Sequence, residues 1–118
     1  MSKSISGQVG YCENRYLKGL EKIPGGHYVY ITRNNKDGTC EVNVITSLEN
    51  RNKTLNSNRI NNVKKGYVYP IPISDANFNQ WSGVGNNPKI VKINKIQDIG
   101  KKKIKDKHKF YLGKFLNK

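Results

Sequence analysis

Apolar positions recur with a period of two in two neighbouring stretches. Residues 27–33 read His-Tyr-Val-Tyr-Ile-Thr-Arg, and within residues 39–46 Val42 and Val44 alternate with Glu41 and Asn43. A two-residue period rich in β-branched and aromatic side chains predicts a strand with two unlike faces. Between the runs lies Asn34-Asn35-Lys36-Asp37-Gly38. Asp-Gly between two such runs marks a hairpin, because it accepts the positive φ of a tight turn. The register depends on the loop. A Lys36-Asp37 loop sets His27 opposite Thr46. An Asp37-Gly38 loop sets it opposite Leu48, with Thr46 diagonal to it on the same face. In either register the imidazole of His27 comes to one end of the hairpin with the hydroxyls of Thr46 and Ser47.

The remaining pattern is more broken. In residues 1–25, Tyr11, Tyr16, Leu17 and Leu20 suit a short helix, while Gly7, Gly10 and Gly19 oppose a long one. Residues 49–65 carry few apolar anchors and many turn formers, which predicts a long polar loop with a short strand near 58–63. Residues 66–73 read as a strand that Pro70 and Pro72 confine to a sheet edge. Residues 74–88 hold Phe78 and Trp81 among the turn formers Gly83, Gly85 and Asn86-Asn87-Pro88. A further strand is predicted over 89–94. An amphipathic helix follows, with Ile104, His108, Tyr111 and Phe115 on one face, widened by Leu112 and Leu116. The sum is a mainly β chain of four to six short strands and one or two short helices, with the closure logic of small β-barrels.

Length bounds this to one domain over residues 1–118. Charge adds a partner. The chain carries a formal +14, and residues 89–118 hold eleven lysines against Asp98 and Asp106, a net of +9 that leaves +5 for residues 1–88. Such a balance points to nucleic acid, with an anionic membrane surface or an acidic protein next in order. Cys12 and Cys40 lack zinc-ligand spacing and read as two reduced thiols, with a disulfide between them as the lesser alternative. Neither a secretory h-region nor an apolar run of membrane-spanning length is visible, which favours a cytoplasmic location and no membrane partner.

Three segments carry a family resemblance: Gly26-His-Tyr-Val-Tyr-Ile-Thr-Arg-Asn34, Val42-Asn-Val-Ile-Thr-Ser47, and Val91–Ile99 with Lys101-Lys102-Lys103-Ile104. In order and spacing they resemble the PemK/MazF-type toxin ribonucleases and the related ToxN-type toxins. The resemblance implies a small SH3-like barrel with a short basic C-terminal helix. It also implies metal-independent, cofactor-free cleavage of single-stranded RNA, a homodimer, and a cognate antitoxin. His27 stands where the family has its catalytic Arg. The resemblance makes Thr46 a donor to the phosphate in the transition state, with Ser47 beside it.

Metal-free RNA cleavage needs a base for the 2′-hydroxyl, an acid for the 5′-oxygen and a cation for the phosphate. His27 has the ordinary pKa best suited to the first task. Arg33 or a C-terminal lysine would serve the third. Trp81, beside Asn79 and Gln80, offers a face for stacking an unpaired base. Lys101, Lys102 and Lys103 suit phosphate contact. Each has a plainer reading: His27 begins a strand, Thr46 and Ser47 end one, Phe78 and Trp81 pack, the lysines solvate a helix, and His108 lies on an apolar face. Two non-enzymatic alternatives use the same basic surface. One is a nucleic-acid-binding accessory protein of a phage or mobile element, for which DNA is as suitable as RNA. The other is an interaction or inhibitor domain that grips an acidic protein.

Overall fold

The hairpin forms the centre of the molecule, and a local irregularity decides its register. In the computed structural model, which describes residues 5–117, β2 (Gly26–Asn34) pairs antiparallel with β3 (Thr39–Ser47). Met1–Ser4 of the N-terminal segment and Lys118 of the lysine-rich terminus lie outside the described residues. The loop has three residues, Lys36-Asp37-Gly38, closed by Asn35 N donating to Thr39 O at 3.0 Å. Its φ angles of 64° at Lys36 and 89° at Gly38 are both left-handed. It is therefore neither of the two-residue loops the sequence suggested. A bulge between Ile31 and Arg33 then inserts one extra residue into β2. At the bulge the Thr32 hydroxyl donates to the Glu41 carbonyl at 3.1 Å. The extra residue cancels the extra loop residue. From Ile31–Val42 to Tyr28–Ile45 the ladder runs as if the loop were Lys36-Asp37, and the next opposed pair is His27 and Thr46.

The other elements among the described residues are β1 (Val9–Glu13), α1 (Ser57–Lys64), β4 (Val68–Ile71), β5 (Ser82–Gly85), β6 (Lys89–Lys92), β7 (Ile96–Gln97) and α2 (Asp106–Leu116). The sheet runs β4-β5-β3-β2-β1-β7, antiparallel throughout, and β6 also pairs with β3. One edge of β3 thus serves two partners: Thr39–Val42 pairs with β6 and Ile45–Ser47 with β5. At the fork, the buried Asn43 donates Nδ2–H to the Gly85 carbonyl at 2.8 Å. That bond satisfies a backbone acceptor the divided ladder leaves over.

The sheet also curls. β6 lies on β3, a 3₁₀ turn at Ile93–Lys95 follows, and β7 then pairs with β1. Residues 89–97 therefore bridge the two edges of the three-stranded β1-β2-β3 unit. β7 approaches β1 this closely because position 10 is Gly: a methyl there would collide with Ile96 Cγ2. Inside the curl pack Cys12, Leu17, Val29, Ile31, Cys40, Val42, Val91 and Ile96. On the outer face Val9, Tyr30, Ile45, Ile71, Phe78, Val84, Ile104 and Leu112 pack beneath α2 and the 72–81 segment. Each such side chain contributes about 1.5–3 kcal/mol relative to exposure.

The fold is mainly β with a short basic C-terminal helix, as the pattern predicted. Several elements differ. Residues 9–13 form a strand rather than a helix, followed by a 3₁₀ turn at Asn14–Tyr16. The predicted polar loop 49–65 contains α1 where a strand near 58–63 was expected. The 74–88 stretch contributes β5, where Gly83 answers packing rather than a turn: a methyl there would meet Val68 Cγ1. The proline-bearing strand does lie at the sheet edge, as β4. Helix α2 starts at Asp106, so Ile104 precedes it, and Tyr111 faces outward while Leu112 is buried.

Candidate functional site

Helix α1 brings a cation to the end of β3. Asn56 caps it, accepting from Arg59 N at 3.1 Å, and Asn56 N itself donates to Leu48 O at 2.8 Å. The cap pins the first turn of α1 against the chain just beyond β3. Arg59 then reaches back, and its Nη1 donates to the carbonyls of Ser47 at 2.8 Å and Glu49 at 3.5 Å.

His27 is fixed from the other side. β1 pairs Cys12 with His27, and the chain turns at Asn14 directly afterwards. Asn14 is buried. Its Nδ2 donates to the carbonyls of Ile23 at 3.2 Å and Pro24 at 3.4 Å, which orients the amide. Asn14 Oδ1 therefore faces His27 Nδ1, 2.6 Å away. An amide oxygen only accepts, so Nδ1 carries the proton and Nε2 of the neutral ring holds a lone pair. Nε2 makes no hydrogen bond among the described residues. Burial, followed by the Arg59 charge, lowers the pKa of His27 below its ordinary value. The ring is thus poised as a neutral base.

His27 and Thr46 line one cleft of about 460 Å³, together with Arg59, Tyr67, Asn86 and Lys89. The cleft combines a proton acceptor, a hydroxyl donor and two cationic side chains. Lys89 Nζ also donates to the Lys18 carbonyl, which fixes its stem across the rim. Such a set can deprotonate an alcohol and hold the negative charge that develops beside it. Arg59 was absent from the sequence reading. The available signal was Asn56, a capping residue placed to set Arg59 in the first helical turn.

The remaining predicted residues lie elsewhere. Ser47 does not join His27: successive strand residues face opposite ways, and Ser47 Oγ accepts from Glu49 N at 3.0 Å and donates to Glu49 O at 3.2 Å. It lines a separate cleft of about 240 Å³ with Tyr28, Gln80 and Lys102. Arg33 sits near the hairpin loop, its Nε donating to Asn35 Oδ1 at 3.0 Å. Trp81 is partly exposed, and its backbone N donates to Glu49 Oε2 at 2.6 Å. Lys101 pairs with Asp98 at 3.0 Å. Lys102 Nζ donates to the Asn77 carbonyl at 3.1 Å, and the Lys103 backbone N donates to Asn77 Oδ1 at 2.6 Å. Lys102 and Lys103, with Lys105 and Lys109, line a groove of about 740 Å³ at the start of α2, apart from the His27 cleft.

His108, read from the sequence as a packing residue, is also part of a hydrogen-bond chain. Its Nε2 lies 2.8 Å from Asp75 Oδ2 and its Nδ1 lies 3.3 Å from the Tyr69 hydroxyl. The His108 hydrogen bond, then that of Lys107, holds Asp75 down to about 2. The chain ties α2 to β4 and to the segment after it. Among the described residues no three His, Cys, Asp or Glu side chains gather as metal ligands, and no helix is long and apolar enough to cross a membrane. Neither a protein-family model nor a curated protein matches the chain.

Proposed function

We propose that the His27 cleft binds single-stranded RNA and cleaves it without metal, in the manner of the PemK/MazF-like toxins the sequence resembles. The observation that carries the reading is the imidazole whose free Nε2, set by Asn14, shares a cleft with Thr46 and Arg59. In the reaction His27 Nε2 takes the proton of a ribose 2′-hydroxyl. The 2′-oxygen bonds to phosphorus and the P–O5′ bond breaks. Arg59 and the Thr46 hydroxyl stabilise the phosphorane oxygens, and the proton returns through water to the departing 5′-oxygen. The products are a 2′,3′-cyclic phosphate and a 5′-hydroxyl. A homodimer, a cognate antitoxin and a cytoplasmic setting belong to the same reading.

The test is cleavage of a mixed-sequence single-stranded RNA in EDTA. His27→Ala should lower the rate by about 10²–10⁴, the usual worth of a general base. Thr46→Ala should also slow cleavage, and Ser47→Ala should not. Because the His27 pKa lies below its ordinary value, the rate should climb with pH through the acid range and level off before neutrality. RNA left intact by protein that demonstrably binds it sinks the proposal.

One observation favours a second reading, a non-enzymatic nucleic-acid-binding accessory protein of a phage or mobile element. The lysine groove at the start of α2 is separate from the His27 cleft, so the densest positive charge does not surround the base. Salt-dependent binding to RNA or DNA without cleavage distinguishes it.

A further inference from the structure

Helix α2 has two unlike faces. His108, Leu112, Phe115 and Leu116 turn toward the sheet, where Leu112 is fully buried. Lys107, Phe110, Tyr111 and Lys114 follow one another at i, i+3, i+4 and i+7 along the other side of the helix, and the Lys107 ammonium bends back to Asp75 at 3.1 Å. Phe110 is 59% exposed and Tyr111 54%, high values for large aromatic rings. The two rings touch edge to face, with centroids 5.4 Å apart, and Lys114 Nζ stands 4.4 Å from the Phe110 centroid. The only acid on α2, Asp106, lies one turn before Phe110 and pairs with Lys109 at 3.7 Å. The groove with Lys102, Lys103 and Lys105 opens at the same end of the helix.

We infer that this outward stripe of α2 is a docking surface for single-stranded nucleic acid, with an unpaired base stacked on Phe110 and Tyr111 and the flanking phosphates on Lys114 and the groove lysines. The inference rests on the reading of nucleic acid as the partner. It adds a place of attachment distinct from the cleft where the chemistry occurs. Charge complementarity selects the occupant: the last thirty residues carry a net +9. An acidic protein would satisfy the lysines but would not call for two adjacent exposed rings. A nucleic acid strand uses both, because each base presents a flat π-face within reach of its own phosphate. A strand held here is anchored without regard to sequence, which leaves any base selection to the cleft.

The experiment measures fluorescence anisotropy of a labelled twelve-residue oligothymidylate, which has no 2′-hydroxyl to cleave, and of an abasic oligomer of the same length. Phe110→Ala with Tyr111→Ala should weaken oligothymidylate binding by about tenfold or more and leave the salt slope unchanged. Lys103→Gln with Lys114→Gln should flatten the slope by about 0.7 for each phosphate that is no longer neutralised. Wild-type protein should bind the abasic oligomer about as weakly as the double aromatic variant binds oligothymidylate. Both aromatic side chains are exposed, so the variant should keep its melting temperature. Equal oligothymidylate affinity in wild type and aromatic variant overturns the stacking surface and leaves nucleic acid as the partner. Wild-type protein that binds neither oligothymidylate nor a matching oligouridylate, yet binds polyglutamate or anionic phosphatidylserine vesicles, overturns both. Self-association that the aromatic pair alone controls, with no change in oligomer affinity, assigns the stripe to a second copy and also overturns the inference.

Discussion

Replacing Asn14 with Leu removes the contact that sets the His27 tautomer while keeping the side-chain volume close. Three bonds disappear: the one from His27 Nδ1 at 2.6 Å and those to the carbonyls of Ile23 and Pro24. The backbone bonds of Asn14, to Gly25 O and from Leu17 N, do not depend on the side chain. A buried donor left without a partner costs about 1–3 kcal/mol. His27 is half-buried, and Ile23 and Pro24 are exposed, so water recovers part of that cost. The expected loss is therefore about 1–2 kcal/mol, or a fall of about 4–8 °C in melting temperature for a chain of this size. A second substitution, Asn14→Asp, separates tautomer from charge. It keeps an acceptor at Nδ1 and adds a negative charge, which favours the imidazolium, so the His27 pKa should rise. NMR titration of the imidazole Cε1 protons reads this directly, with His108→Gln used to assign the two signals. Wild-type His27 should titrate below its ordinary value and the Asn14→Asp variant clearly above wild type. An unchanged titration in Asn14→Asp, or wild-type His27 titrating above about 6.5, refutes the arrangement.

The pairing of Asp75 with His108 and Lys107 gives a separate pH signature. Its carboxyl is held down to about 2, so its stabilisation is complete above the ordinary carboxylate range and is lost as pH falls toward 2. The melting-temperature gap between wild type and Asp75→Asn should therefore be open at neutral pH and close near pH 2; a gap independent of pH would contradict it. At the barrel seam, Gly10→Ala places a methyl against Ile96 and should cost about 1–3 kcal/mol as β7 is pushed from β1. Amide exchange at Gly100, which bonds to Val9 O at 2.9 Å, should quicken in that variant; unchanged exchange and stability would show that the seam has slack.

What could be read from the chain was what local chemistry determines. The period-two alternation and Asp37-Gly38 located β2 and β3 within a residue or two, the prolines put β4 at an edge, and the lysine-rich apolar period located α2. β1 and β5 were hidden because their sequences answer distant neighbours. Gly10 and Gly83 look like breaks in a pattern, and the reasons they are glycines lie at Ile96 and Val68. Helix α1 buries no residue fully, so it leaves little apolar period to detect. Within the site, the opposition of His27 and Thr46 was one of two registers, and the bulge at Thr32 selects it. That Ser47 faces away follows from strand alternation alone and was legible from the outset. Arg59 was not, since its approach depends on a helix that the polar composition of 49–65 concealed.

The bridging segment 89–97 also sets an order of assembly. The β2-β3 hairpin closes over a few residues, whereas β7 meets β1 across more than eighty positions of chain, as in the pairing of Tyr11 with Gln97. Short loops close at lower entropic cost than long ones, so the hairpin is the natural nucleus and the seam a late step. The tautomer contact is not part of that late step. Asn14 stands 13 positions from His27, nearer in the chain than Thr46, Arg59 or Tyr67, and it arrives with the short-range pairing of β1 and β2. The base is therefore armed before the seam closes, and a copy still open between β1 and β7 would already hold the imidazole proton on Nδ1.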